Sequence, residues 1–170
     1  MKNLDFCPSC GEKSLSWDNL VKWQCNSCSF VLYNNTAAAV AVVIKCKNEL
    51  FFTVRNKNPG KGKLDLSGGF CDPKETAEET CCRELKEELD LKINSNNLRY
   101  LGSQPNVYPY KDITYNTMDL FYLYEVDEKF DSVMEKDEIA DVTWINISDI
   151  NLEDLAFESQ KIFLEKYLNR

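Results

Sequence analysis

Two sets of residues in this 170-residue sequence have the type and spacing to do chemistry. The first is a cysteine quartet, Cys7-x2-Cys10 and Cys25-x2-Cys28, with fourteen residues between the pairs. Each Cys-x-x-Cys lets two thiolates point at one ion while backbone N–H groups aim at the sulfurs, and four thiolates complete a closed tetrahedral site suited to Zn²⁺. Gly11 suits the tight turn after the first pair. A closed site supplies folding free energy and leaves no open coordination position, so the expected role is a structural zinc ribbon. A redox dithiol, a nucleic-acid-reading finger and a rubredoxin-like iron site are the alternatives. Cys46, Cys71, Cys81 and Cys82 lack such spacing and are expected to be small core residues.

The second set lies in GGFCDPKETAEETCCRELKEELDL, residues 68–91. Thr76-x-x-Glu79 is a capping box and predicts a helix over 76–89. At about 100° per residue, Glu84, Glu87 and Glu88 share one face, beside an apolar stripe of Cys81, Cys82, Leu85 and Leu89. Three anions within two turns repel, and Arg83 offsets only part of that through Glu79 and Glu87. A hard divalent cation relieves the rest. All-oxygen ligands favour Mg²⁺ or Mn²⁺, which take their remaining ligands from water and substrate phosphates. A solvated acidic helix face is the plain alternative.

Composition narrows the chemistry. The chain has no histidine, which excludes a Ser-His-Asp or Cys-His nucleophile, an imidazole base and a His-ligated catalytic zinc. Lys and Arg number 20 against 28 Asp and Glu, a net charge of −8, which argues against broad binding to a nucleic-acid backbone. The N-terminus has no apolar run and the longest apolar stretch, 37–44, is too short to cross a bilayer, so a cytoplasmic protein with reduced thiols is expected.

The elements that must position these residues divide near Asn34-Asn35. Residues 1–33 are cysteine-bearing and poor in aliphatics, with the two pairs at the ends of a short hairpin; residues 34–170 form the larger domain. Strands are predicted over 37–44, 50–55, 98–103, 117–126 and 141–145, a loop over 56–63 around Pro59, Gly60 and Gly62, and a terminal helix over 157–168. Arg55 and Lys57 follow the second strand, where a cation can meet phosphate; solvated strand-end charges are the other reading.

Read in full, the acidic stretch is Gly69-x5-Glu75-x7-Arg83-Glu84-Leu85-x-Glu87-Glu88-x-Asp90-Leu91, which resembles the signature box of the Nudix hydrolases. Asp90 stands where the family pattern has Gly, at a helix end that wants a left-handed residue, a conformation Asp tolerates. The resemblance implies an α/β fold, the Nudix α/β/α sandwich with a mixed sheet, preceded here by the zinc ribbon at one edge. It implies metal-dependent pyrophosphohydrolysis, with Mg²⁺ or Mn²⁺ held by Glu84, Glu87, Glu88 and the Gly68 carbonyl. One box glutamate would serve as base, and Glu75 would pair with Arg83 to orient the helix.

A four-Cys ribbon directly before such a domain is similar to the NADH pyrophosphatase branch of that family. Its Ser-Gln-Pro-Trp-Pro-Phe-Pro signature is matched in part by Ser103-Gln104-Pro105-Asn106-Val107-Tyr108-Pro109-Tyr110, with Asn106 in place of the tryptophan. Glu138 matches a further metal-ligand position, Tyr33 and Phe70 match base-stacking aromatics, and Gln104 and Tyr108 fall in the substrate-binding stretch. Tyr108, Tyr110 or Tyr115 could replace the missing platform. Members with the full architecture carry another domain before the ribbon, whereas six residues precede Cys7 here. The expected substrate is a nucleoside diphosphate linked to another moiety. An NAD(H)-like dinucleotide is the first choice, ADP-ribose or a nucleotide sugar the second, then nucleoside triphosphates and NAD-capped RNA ends. The branch also implies a homodimer. A nucleotide-sensing or nucleic-acid-binding module with a non-catalytic fold is the competing reading.

Overall fold

The computed structural model describes residues 4–110 and 113–169, in two compact units. The first contains the described residues up to Thr36 together with Val107–Asn116, and the second Ala37–Asn106 and the chain from Thr117 onward. The first unit holds the antiparallel strands β1 (Leu15–Trp17), β2 (Lys22–Cys25) and β3 (Val31–Tyr33), in that order. The expected hairpin therefore gains a third strand. Trp17 lies opposite Trp23 with ring centroids 4.4 Å apart, and Trp23 and Cys25 are buried, so a tryptophan pair and the cysteines stand in for an aliphatic core. The Asp18 carboxylate accepts from the N–H groups of Leu20, Val21 and Lys22 and closes the β1–β2 turn.

The larger sheet is built from β4 (Ala37–Cys46), β5 (Glu49–Arg55), β6 (Leu64–Asp65), β7 (Arg99–Tyr110), β8 (Ile113–Val126) and β9 (Ile139–Asn146), in the order β6-β5-β4-β8-β7 with β9 also paired to β5. β4 and β8 run parallel, while β4–β5, β5–β6 and β5–β9 are antiparallel, so the sheet is mixed. Helices α1 (Ala77–Leu89) and α2 (Glu158–Leu168) cover opposite faces. Residue parity decides which face is which. Ala41, Val43, Leu50, Phe52, Phe121 and Leu123 pack with Phe163 and Leu164 of α2. Val40, Val42, Ile44, Phe51 and Tyr122 pack with Cys81, Leu85 and Leu89 of α1. A sheet buried on both sides explains why β4 reads as an unbroken apolar run rather than an alternation.

Thr76 caps α1 reciprocally with Glu79: its hydroxyl accepts from the Glu79 N–H at 3.2 Å while its own N–H donates to the Glu79 carboxylate at 2.8 Å. At the other end Asp90 takes the left-handed conformation (φ 53°, ψ 22°), with its N–H donating to the last-turn carbonyls. The predicted strands 98–103 and 117–126 extend into the longer β7 and β8, and β6, only two residues long, had no periodicity to announce it. Of the cysteines expected in the core, Cys46 and Cys81 are buried while Cys71 and Cys82 are half-exposed. No helix among the described residues is long and apolar enough to cross a membrane.

Candidate active site

In the first unit the four cysteine sulfurs all lie within 4.8 Å of one another. Cys7 and Cys28 Sγ are 3.7 Å apart, as are Cys10 and Cys25 Sγ, which is the edge of a tetrahedron with metal–sulfur bonds of about 2.3 Å. The Ser9 and Cys28 N–H groups aim at Cys7 and Cys25 Sγ, both at 3.4 Å. The Ser14 hydroxyl, 3.0 Å from Cys25 Sγ, is the main influence that lowers that thiol to about 6, with the Cys28 and Ser27 N–H groups assisting. Although the Glu12 amide pulls Cys10 down, burial and the other three sulfurs push it up to about 12. Four thiols crowded this closely resist full ionisation unless a cation joins them, so the donor set fits zinc.

In the second unit, the side chains of the acidic stretch converge on Arg83. Its Nε and Nη2 donate to the two Glu75 oxygens at 2.9 and 3.1 Å, Nη1 to Glu84 at 2.7 Å and Glu87 at 3.1 Å, and Nη2 also to the Phe70 carbonyl at 3.0 Å. Thr80, buried on α1, donates its hydroxyl to the same Glu75 carboxylate at 3.0 Å. The loop before α1 is thereby tied to the helix's acidic face. Arg83 hydrogen bonds, then Thr80 and the Asp72 N–H, pull Glu75 down to about 2.

Close approach of the β4 backbone requires glycine at position 68, and Gly69 lies against the Glu84 carboxylate. A Cβ on Gly68 (φ 147°) would stand 2.1 Å from the Val40 carbonyl oxygen, and one on Gly69 would stand 2.6 Å from a Glu84 oxygen. Glu84 thus lies against the backbone of its own loop. The Gly68 N–H donates to Glu88 at 3.3 Å. Burial pushes Glu84 up against the pull of Arg83, with the charges of Glu87 and Glu138 adding to the rise. Burial also pushes Glu88 well up, with Asp65 and Glu84 adding repulsion. A carboxylate group short of positive charge, beside a Cβ-free backbone, is a donor set that fits a hard divalent cation. Glu84 is nearly enclosed, at 15 % exposure, whereas Glu87 is 56 % exposed. Their oxygens do not converge as tightly as the cysteine sulfurs do.

The other sequence-selected residues are dispersed. Glu138 pairs with Lys57, and the Asn56 N–H donates to the Glu138 carbonyl at 2.7 Å. Phe70 offers its carbonyl to Arg83 and leaves its side chain partly exposed. Arg55 is turned inward: it pairs with buried Asp65, donates to the Pro59 carbonyl at 2.6 Å and stacks over the Phe157 ring at 4.9 Å. Gln104 meets Lys166 at 3.4 Å. Tyr33, exposed on β3, and Tyr108 belong to the first unit; the Tyr110 side chain lies outside the described residues.

Asp65 was not singled out by sequence. Its Oδ1 accepts from the Gln160 side-chain amide of α2 at 2.6 Å, and Gln160 Oε1 accepts from the Leu66 N–H at 3.3 Å, so α2 grips the strand leading into Gly68. A lone acid in a two-residue strand carries no pattern that could have marked it.

The NUDIX domain family matches residues 34–166. The chain belongs to the NUDIX family. Among curated proteins, this NUDIX chain is 25% identical over 149 residues to an NAD-capped RNA hydrolase NudC of Vibrio parahaemolyticus, covering 88% of this chain and 54% of that one. It is 28% identical over 148 residues to the same-named protein of Haemophilus influenzae strain PittGG, covering 86% and 53%. The chain thus spans about half the length of the curated relatives it matches. A solved NUDIX hydrolase from Nitrosomonas europaea superimposes with a TM-score of 0.68 at 22% identity, covering 98% of this chain and 91% of that one, which supports the fold.

Two outcomes test this geometry. Cys25→Ser should lose zinc, read by metal analysis, and melt the first unit; full zinc content with unchanged stability would contradict a structural site. Glu75 has an ordinary value of 4.5 and a folded one of about 2, so its contribution is complete above about pH 4.5 and is lost as pH falls toward 2. Chemical denaturation should therefore show wild type more stable than Glu75→Gln at pH 7, with the gap closing between pH 4.5 and 2; a gap that widens on acidification would contradict the pairing.

Proposed function

We propose that this chain is a divalent-metal-dependent pyrophosphohydrolase that cleaves the diphosphate of a nucleoside diphosphate linked to another moiety. The observation that carries this reading is the Arg83 network, which holds Glu75, Glu84, Glu87 and the Phe70 carbonyl in the register of the family's signature box. Glu84, Glu87, Glu88, the Gly68 carbonyl and Glu138 are the groups that would hold Mg²⁺ or Mn²⁺. When bound, the ions supply charge neutralisation on diphosphate oxygens and acidify water.

The chain's own residues do the rest. Arg83 and Glu75 fix α1 against the glycine loop, so that Glu84 and Glu88 sit beside backbone with no Cβ in the way. Glu87, the most open of the three, faces solvent from which a nucleophilic water comes. Its separation from Arg83 is an exposed i,i+4 contact, one that can be exchanged. No histidine takes part, since the chain has none.

Among substrates an NAD(H)-like dinucleotide is our first choice and ADP-ribose or a nucleotide sugar our second. The similarity to proteins named NAD-capped RNA hydrolases supports that order and adds an NAD-capped RNA end, which carries the same diphosphate. With a net charge of −8, recognition of such an end would rest on the cap rather than on the RNA backbone. Zn²⁺ in the cysteine site is assigned to folding. Replacing Glu87 and Glu88 together by Gln should reduce turnover of NADH by at least about 10³-fold, roughly 4 kcal/mol of barrier, with an unchanged circular dichroism spectrum. Wild-type turnover in that variant, in either metal, would refute the assignment.

A further inference from the structure

Thr80 is fully buried on α1, one residue ahead of the apolar stripe that begins at Cys81. Its single hydroxyl proton has two acceptors in reach, the Glu75 carboxylate at 3.0 Å and the Thr76 carbonyl at 3.1 Å. A threonine inside a helix ordinarily bonds back to the carbonyl four residues earlier. Here that carbonyl already accepts from the Thr80 N–H at 3.0 Å, and the competing acceptor is an anion. Charge-assisted hydrogen bonds are about twice as strong as neutral ones, so the proton goes to Glu75.

The Glu75 oxygen that takes it, Oε2, also accepts from Arg83 Nη2 at 3.1 Å and from the Asp72 N–H at 3.3 Å, while Oε1 accepts from Arg83 Nε at 2.9 Å. Of the two side-chain donors Thr80 is the stiffer, being short, β-branched and closed off from water. Arg83 is long and 25% exposed, and it holds its place through what it touches. Beyond Glu75, its Nη1 donates to Glu84 at 2.7 Å and to Glu87 at 3.1 Å. A swing of the Glu75 carboxylate therefore moves the guanidinium, and with it the contacts to both helix carboxylates.

We propose that Thr80 is a positioning residue for the hydrolysis: its hydroxyl fixes the Glu75 carboxylate, Glu75 fixes the Arg83 fork, and the fork sets where Glu84 and Glu87 stand. This role rests on the reading of the chain as a pyrophosphohydrolase. With valine at this position no water can take the place of the hydroxyl, because the side chain is buried, and Oε2 keeps only its Arg83 and Asp72 donors.

The test compares, in the full chain, Thr80→Val, which keeps the shape and removes the hydroxyl, with Thr80→Ser, which keeps the hydroxyl. Without metal, the stabilities of wild type, Thr80→Val, Glu75→Ala and the double variant, measured by chemical denaturation, should be non-additive, since either single change already removes the bond. Substrate-free Mn²⁺ binding, followed by electron paramagnetic resonance, should weaken in Thr80→Val and return in Thr80→Ser. With NADH and saturating metal, kcat should fall about tenfold to a hundredfold in Thr80→Val, with KM unchanged, and recover in Thr80→Ser. Additive stabilities overturn the proposal, as does a Thr80→Ser variant as impaired as Thr80→Val. Non-additive stabilities with wild-type kcat and Mn²⁺ binding overturn it too, since Thr80 then serves folding alone. A wild-type protein that hydrolyses no NADH counts against the proposed function by itself; the denaturation cycle and the Mn²⁺ titration then still decide the role of Thr80.

Discussion

One guanidinium organises the acidic end of this molecule. Arg83 reaches Glu75, Glu84, Glu87 and the Phe70 carbonyl at once, and no shorter or less planar cation could make both the bidentate contact to Glu75 and the contacts along its own helix. It compensates only one of the three carboxylates it touches. The charges of Asp65 and Glu84 add to the effect of burial in pushing Glu88 up, and Asp65 is already committed to Arg55 and Gln160. The site is therefore assembled with a deficit of positive charge, tolerable in a fold that expects divalent cations to arrive.

The sheet makes that deficit affordable by rigidity. Two apolar cores, one on each face, hold α1 and α2 against β4, β5 and β8, and the glycine loop threads between β4 and α1 with backbone-to-backbone contact at Val40. A carboxylate can be kept close to Gly69 only because the helix carrying it is pinned at Leu85 and Leu89, both buried. A register shift between Val54 and Arg55 breaks the alternation at the end of β5, where Arg55 turns inward to Asp65, and Lys57, beyond the strand, pairs with Glu138.

Much of this was legible in the sequence, for physical reasons that differ by element. The span of α1 follows from a local capping box and a local apolar stripe, and the structure begins and ends the helix where Thr76 and Asp90 place it. The cysteine quartet is legible because a chelate needs short spacing, and the sulfurs do gather. What escaped depends on long-range pairing. The third ribbon strand, the two-residue β6, the inward turn of Arg55 and the Lys57–Glu138 contact are all set by register between distant segments, which leaves no mark in local periodicity. Asp65 looks like any solvated acid until Gln160, 95 residues on, is seen to donate to it.

The central claim is that this carboxylate face directs water at a diphosphate, and the most direct measurement follows the oxygen. NADH incubated with the full chain in ¹⁸O-enriched water, with Mg²⁺ or Mn²⁺, should give two phosphomonoester products, one of which carries a single ¹⁸O on its phosphate by mass spectrometry. Release of nicotinamide with the diphosphate intact, or label in neither phosphate, would contradict the account.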